Sequence, residues 1–308
     1  MLICDLHCDL PSRVADGVKI KSNNAHWAED KLKEGNTYVQ VFASFIDKLS
    51  FDNPFERADF LIRSFLDEIK NTNISVVTKY FQLEENIKRG INSAILSIEG
   101  GEALLGRLEN LEYFYNFGIR FLTLTWNNRN QLGSSSASSE ENLPLSEFGK
   151  AVIKEMNRLK MTPDVSHLSE KGFWDVSQLS TMPFCATHSN SKALCNHKRN
   201  LTDEQFCAIK KANGLVGIAF VPEFLEENSE KANVISIVKH IEHFMALGGE
   251  DAICLGGDLD GTDKLPCGIE NVGDVLKIAD ELGRINYSDD LIKKIMGENV
   301  RNYLKLVL

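Results

Sequence analysis

No stretch of 18 consecutive apolar residues occurs in the chain, so no transmembrane helix is expected. No run of five basic residues occurs either, and Lys plus Arg number 34 against 44 Asp plus Glu, a formal net charge of −10. That deficit of basic charge argues against a phosphate-tracking nucleic-acid binder and against an anionic membrane partner. The N-terminus, Met1-Leu2-Ile3-Cys4-Asp5, lacks the basic n-region and long apolar h-region of a signal peptide. CxxC pairs are missing. The seven cysteines (Cys4, Cys8, Cys185, Cys195, Cys207, Cys254 and Cys267) are odd in number and scattered, which fits a reduced, cytoplasmic compartment better than a disulfide scaffold. Internal repeats of 20–50 residues are absent as well.

What is there is globular: 43% hydrophobic and 25% charged residues over 308 positions, enough to bury a full core. Short apolar runs alternate with longer helical patterns. The β-like runs are 2–6, 38–45, 94–98, 121–125, 161–165, 184–187, 215–220 and 252–255, with 74–78 a possible ninth. Most are near-continuously apolar, as strands buried on both faces should be. Helices are expected over 54–71, 146–159, 202–213, 235–246 and 288–300, and the Ser-rich segment 130–145 reads as an exposed loop or lid. This alternation predicts parallel βαβ units, arranged as a (β/α)8 barrel or a doubly wound sheet.

Polar residues separate the two arrangements, because catalytic groups of a barrel enzyme come from the C-terminal ends of several strands. Five runs end in a His or an acid: His7-Cys8-Asp9, Glu99-Gly100-Gly101, Ser166-His167, His188-Ser189-Asn190 and Gly256-Gly257-Asp258-Leu259-Asp260. Residues i and i+2 at a strand end share a side, so His7 and Asp9 can reach one cation with Cys8 facing away. A carboxylate such as Glu99 at the end of an apolar run must stay paired, exposed or metal-bound. His167 and His188 lie one α/β unit apart and should sit on adjacent strands. His26 and His197 fall in loops, and His240 and His243 on the polar face of a helix.

Three imidazoles and two carboxylates suit Zn²⁺, with Fe²⁺, Mn²⁺ or Co²⁺ as alternatives. Five ligands exceed one tetrahedral zinc with an open position, and suffice for two zincs about 3.5–4 Å apart if one carboxylate bridges. Such a pair activates a bridging water and polarises a carbonyl, which is hydrolytic chemistry. Asp258 is then free to shuttle a proton to a leaving amine, ahead of Asp260 because it stands directly at the strand end. Arg199 either grips a substrate carboxylate or forms a solvated basic turn.

In this order the motifs resemble the membrane dipeptidase (renal dipeptidase, peptidase M19) family of the amidohydrolase superfamily. The resemblance runs from Asp5-Leu6-His7-Cys8-Asp9 through Ile98-Glu99-Gly100-Gly101, Leu122-Thr123-Leu124-Thr125, Asp164-Val165-Ser166-His167, Thr187-His188-Ser189 and Arg199-Asn200-Leu201 to Gly257-Asp258-Leu259-Asp260 and Met296-Gly297-Glu298-Asn299. Most of the superfamily carries His-x-His at the first strand, so His-x-Asp favours this family over deaminases and phosphotriesterases. The resemblance implies a distorted (β/α)8 barrel, a homodimer and dipeptide hydrolysis, often tolerant of a D-residue at the C-terminal side. It implies His7 and Asp9 on one zinc, His167 and His188 on the other, Glu99 bridging, Asp258 as catalytic acid/base, and Arg199 on the substrate's carboxylate. It departs at Trp126, where animal members carry a substrate-binding His; an indole N–H donates one bond and cannot become cationic.

The expectation is therefore one barrel domain over 1–308 that hydrolyses dipeptides through a metal-bridging hydroxide. An amidohydrolase acting on another amide or a lactam is the alternative within the barrel. A non-catalytic metal-binding barrel is the alternative outside enzymes.

Overall fold

Near-continuous apolar runs become parallel strands buried on both faces. The computed structural model describes residues 1–46, 53–137 and 142–308. Its strands are β1 (Leu2–Cys8), β2 (Thr37–Phe45), β3 (Ile74–Val76), β4 (Asn92–Glu99), β5 (Ile119–Thr123), β6 (Thr162–Asp164), β7 (Val216–Ile218) and β8 (Ile253–Leu255). All pair in parallel, in the order β6-β5-β4-β2-β1-β8-β7. The ninth run is real: β3 pairs with the first residues of β4, on the edge that β5 takes further up.

The run expected over 184–187 closes the ring between β6 and β7, although not as a full strand. It makes single bridges, Asp164 to Cys185 and Ala186 to Val216. Val165 N–H donates to Cys185 O at 2.8 Å and Gly217 N–H to Ala186 O at 2.9 Å. The ladder is short for a physical reason. Pro163 accepts from Cys185 N–H at 3.0 Å, so its nitrogen faces the same segment, and a proline nitrogen has no hydrogen to donate. The result is a distorted α/β barrel of the TIM type with helices outside.

Helices form where caps and periodicity meet. Glu147–Leu159 starts at Ser146, whose hydroxyl accepts from Gly149 N–H. Asp203–Lys211 starts at Thr202 in a reciprocal capping box with Gln205. Pro54–Ile69 and Val234–Ala246 match expectation within two residues.

Two segments differ from expectation. The helix expected over 288–300 is interrupted: Asp289–Lys293 is α-helical, Lys294–Glu298 is a π-turn, and Asn299–Val307 resumes the helix. The wider turn lets Asn299 donate to the carbonyls of Glu250 and Ile253, both at 2.8 Å. Segment 130–145 is not simply an exposed loop. Residues 138–141 lie outside the described residues, but Leu132, Ser134 and Ser135 are buried. Leu132 covers Gly101 and Gly149, and a Cβ on Gly149 would stand 2.2 Å from Leu132 O.

The tightest backbone approach is under the cleft, where Thr187 O wedges between Gly217 and Gly256; a Cβ on either would lie 2.0 and 1.8 Å from that oxygen. Gly256→Ala should therefore cost about 3 kcal/mol or more, at the upper end of overpacking penalties. Urea denaturation reads this directly, and an unchanged midpoint would contradict the packing described.

Candidate metal centre

The barrel brings all of the strand-end ligand candidates to one mouth. His7 lies within β1 and Asp9 just beyond it. Glu99 is the last residue of β4. His167 follows β6, His188 follows the bridging segment, and Asp258 follows β8. His167 (φ 66°) and Asp258 (φ 56°) adopt the left-handed conformation, which turns each side chain inward at a steric cost of roughly 1–2 kcal/mol.

Glu99 stands at the centre. Its Oε2 is 3.4 Å from His7 Nε2, while its Oε1 is 3.0 Å from His167 Nε2 and 3.4 Å from His188 Nε2. His7 Nε2 is also 3.4 Å from Asp9 Oδ2 and 3.9 Å from Asp258 Oδ1. Two overlapping sets place their ligand atoms within 4.8 Å of one another: His7, Glu99 and His188, and His7, Asp9 and Asp258. All five ligand candidates, His7, Asp9, Glu99, His167 and His188, are buried.

Buried carboxylates hold this arrangement from behind. Asp164 accepts from Ser166 N–H (3.0 Å) and Thr187 N–H (2.9 Å) on Oδ1, and from the hydroxyls of Thr123 and Thr187 (2.6 Å each) on Oδ2. Asp5 accepts from His7 N–H and Gln40 on Oδ1 and from Gly257 N–H on Oδ2, tying β1 to β2 and to the turn after β8. Asn127 Oδ1 is 3.1 Å from His167 Nδ1. Asp260 accepts from the backbone N–H groups of His26 and Trp27. It is thus an anchor for the loop before β2; both acids line the cleft, and of the two it is Asp258 that comes within 3.9 Å of His7 Nε2.

The electrostatics are those of a cation site. Burial would raise Glu99, yet His7 and His167 hold its carboxyl well below the usual range. Burial, with Glu99 behind it, pushes Asp9 up to about 6. Burial likewise pushes Asp258 well above a normal carboxyl. Burial brings His167 down to about 4 and His188 well below its ordinary value. His7 goes the other way: Glu99 and Asp9 overcome burial and raise it well above normal. Its Nε2, Asp9 Oδ1 and Glu99 Oε1 are buried without a hydrogen-bond partner. Orphaned donor atoms of imidazole and carboxylate type, converging within metal-ligand reach, fit a divalent cation.

The cleft beside this cluster has two connected parts. One, of about 220 Å³, is lined by Asp9, Phe45, Glu99, Trp126, His167 and Asp258. The other, of about 520 Å³, shares Trp126, His167 and Asp258 and adds Arg199 and Phe224. Trp126 packs edge-on against Phe45, with centroids 4.8 Å apart, and 6.3 Å from the His167 ring. Arg199 is 5% exposed, lies over the Phe224 ring at 5.3 Å and donates to His188 O at 3.3 Å. Its Nε has no partner, and burial lowers the guanidinium to about 10. The solvated-turn reading of Arg199 is thereby set aside.

Of the other histidines, His26 pairs with Asp260 and His197 stacks on Phe224. His240 is not on a polar face: it is buried, accepting from Ser191 N–H at 3.0 Å and donating to Leu225 O at 3.1 Å. Sequence reasoning missed Asp164, Thr187 and Asn127 as supports of the cluster. Their only signal is adjacency, since Asp164 and Thr187 sit inside the runs that end in His167 and His188.

A model of the family described as membrane dipeptidase (Peptidase family M19) matches residues 1–307. An uncharacterized protein from the pqqA 5′ region of Klebsiella pneumoniae is 36% identical over 221 residues, 69% of this chain and 81% of that protein. Among solved structures, dipeptidase AC, a metallopeptidase of family M19, superposes with a TM-score of 0.91 at 28% identity, covering 100% of this chain and 98% of that one. A metallopeptidase from Rhodobacter sphaeroides, liganded with a phosphinate mimic of the dipeptide L-Ala-D-Ala, superposes with a TM-score of 0.92 at 26% identity, covering 100% and 99%.

A cation that binds only the folded cluster must stabilise it, by about 2.7 kcal/mol at a hundredfold excess over Kd. Zinc added to chelator-treated protein should raise Tm by several degrees, and Glu99→Gln should abolish most of the rise. An equal rise in wild type and variant would show that the metal binds elsewhere.

Proposed function

The chain belongs to the membrane dipeptidase family, peptidase family M19, a family of dipeptide-hydrolysing metallopeptidases, and on that premise we propose a dinuclear zinc dipeptidase built on the cluster at the barrel mouth. One observation carries the proposal: Glu99 turns one oxygen to His7 and the other to His167 and His188. A carboxylate so placed suits a bridge, with His7 and Asp9 holding one ion and His167 and His188 the other. Nitrogen and oxygen donors in this ratio suit zinc. When bound, the ions supply Lewis acidity, activating the attacking water and polarising the scissile carbonyl.

The protein's own groups do the rest. Asp258, pushed up by burial, is the acid/base that takes the proton of the attacking water and passes it to the leaving amine. Arg199, buried without an ion-pair partner among the described residues, anchors the dipeptide's terminal carboxylate in bidentate fashion. Trp126 closes the opposite wall and offers a single indole N–H. The phosphinate mimic in the Rhodobacter sphaeroides structure supports acceptance of a D-residue at the C-terminal position. A lactam or other amide lacking a free carboxylate is the second reading, and the unpaired Arg199 favours the dipeptide over it.

The remaining features are part of the same proposal. Cleft residues drawn from His7 to Asp258 support one catalytic domain over 1–308. Family likeness supports a homodimer. Seven free thiols, five of them buried, support a reducing, cytoplasmic setting. Among the described residues no helix is long and apolar enough to cross a membrane.

Asp258→Asn should retain the metal yet lower kcat on dipeptides by about 10²–10⁴-fold, the usual weight of a general acid/base. Arg199→Met should reduce kcat/KM for free dipeptides about 10- to 100-fold, as expected for a lost charge-assisted contact, with little change for C-terminally amidated ones. A panel of L,L and L,D dipeptides with both variants decides. Near-wild-type turnover by Asp258→Asn would sink the assignment, and equal losses on free and amidated substrates would remove Arg199 from carboxylate recognition.

A further inference from the structure

Thr187 stands behind the cluster, and the proposed function gives it no role. Its Oγ1 is 2.6 Å from Asp164 Oδ2, 3.2 Å from His7 Nδ1 and 2.9 Å from His188 Nδ1. A hydroxyl has one proton and two lone pairs. Asp164 can only accept here. Two of its partners are backbone N–H groups, which never accept, and its other oxygen takes the hydroxyls of Thr123 and Thr187. The Thr187 proton therefore goes to Asp164, and the lone pairs face the two imidazoles, with the Ser166 hydroxyl the more distant neighbour at 3.5 Å. With a cation bound, each imidazole would then keep its proton on Nδ1 and offer Nε2 to the cleft as the ligand atom.

Those two Nε2 atoms face different oxygens of Glu99, His7 towards Oε2 and His188 towards Oε1. The two rings pack against each other, 3.9 Å centroid to centroid. His167 does not reach Thr187: its Nδ1 is served separately by Asn127, and its Nε2 lies 3.0 Å from His188 Nε2. The hydroxyl is also held from its own backbone. Thr187 O is wedged between Gly217 and Gly256, and Thr187 N–H donates to Asp164 Oδ1.

We propose that Thr187 is a positioning residue whose single hydroxyl sets the tautomer and ring orientation of His7 and His188 together, and so couples the two metal positions. The inference rests on the dinuclear reading above. Asp164 acts through Thr187: it has no contact with either ring and serves to aim the hydroxyl proton away from them.

The test titrates zinc into metal-stripped protein against a chromophoric chelator, with metal analysis of the product. Wild type should bind two equivalents. Thr187→Val, which keeps the shape and removes the hydroxyl, should weaken both equivalents, by about 10- to 100-fold for loss of a ligand's outer hydrogen bond. Thr187→Ser should restore both. Thr123→Val, which loses the same kind of bond to Asp164 but touches no ring, should lower Tm without the paired loss of affinity. Weakening of one equivalent only, or the same loss in Thr123→Val, overturns the coupling and leaves the dinuclear reading standing. Fewer than two equivalents in wild type overturns that reading and the coupling with it. Should Thr187→Val fail to fold, NMR of the imidazole nitrogens in zinc-loaded wild type decides: His7 and His188 must both carry hydrogen on Nδ1, and an Nδ1-bound metal at either one overturns the proposal.

Discussion

Three carboxylates converge on one buried imidazole nitrogen, and the rest of the site follows from how that charge is tolerated. Asp9, Glu99 and Asp258 each place an oxygen within 3.9 Å of His7 Nε2. Two like charges about 4 Å apart repel by about 4 kcal/mol at an effective dielectric near 20. One imidazolium does not offset all three: burial, with the neighbouring carboxylates, drives Asp9 and Asp258 towards their neutral forms, while Glu99 and Asp9 drive His7 up against burial. The divalent cations proposed above would offset all three and take the place of the proton on His7. Part of the chain's acidic surplus is thus local to the barrel mouth rather than spread over the solvated surface.

That convergence is kept by backbone features that would be faults elsewhere. His167, Asp258 and Asp260 all have positive φ without being glycine. Their cost is carried by polar anchors set one layer deeper: Asp5 for the turn after β8, Asp164 for the two histidine turns, and Asp260 for the loop at His26 and Trp27. Close approach does the remainder. A Cβ on Gly261 would stand 2.2 Å from both Asp258 Oδ1 and Asp9 Oδ2, so this glycine is what lets the two carboxylates share one side of the cleft.

The ligand candidates that meet at the barrel mouth were legible in the sequence because strand ends are legible. An apolar run buried on both faces has no use for a terminal His or acid, so each polar residue that closes such a run stands out; that logic found His7, Glu99, His167, His188 and Asp258. It located the barrel as well, although the segment 184–187 reads as an ordinary strand and pairs only by single bridges beside Pro163. What stayed hidden depends on direction rather than position. Thr187 and Asp164 lie inside runs where a polar residue reads as tolerated rather than employed. His240 sits at helical spacing among polar neighbours, yet points inward to the backbone of Ser191 and Leu225. The π-turn at Lys294–Glu298 leaves no periodic trace, because it is set by Asn299 reaching the carbonyls before and within β8.

The cleft is chemically polar from end to end, and this polarity bears on how a dipeptide lies in it. At one end stands Arg199, a guanidinium with an unfilled donor and, among the described residues, no acid of its own. At the other are Phe45 and Trp126, an aromatic wall over the smaller pocket. Asp258 and the Glu99 cluster lie between. On the proposed function, a substrate with a free carboxylate would be drawn to the Arg199 end, with its amino-terminal residue against the aromatic wall and its amide over the ligand candidates. A neutral indole there adds surface and one donor but no charge to oppose a developing oxyanion. On the proposed function that duty would fall on the metal positions, and the proposed placement of His7 and His188 by Thr187 would then weigh more in this chain than it would beside a cationic histidine.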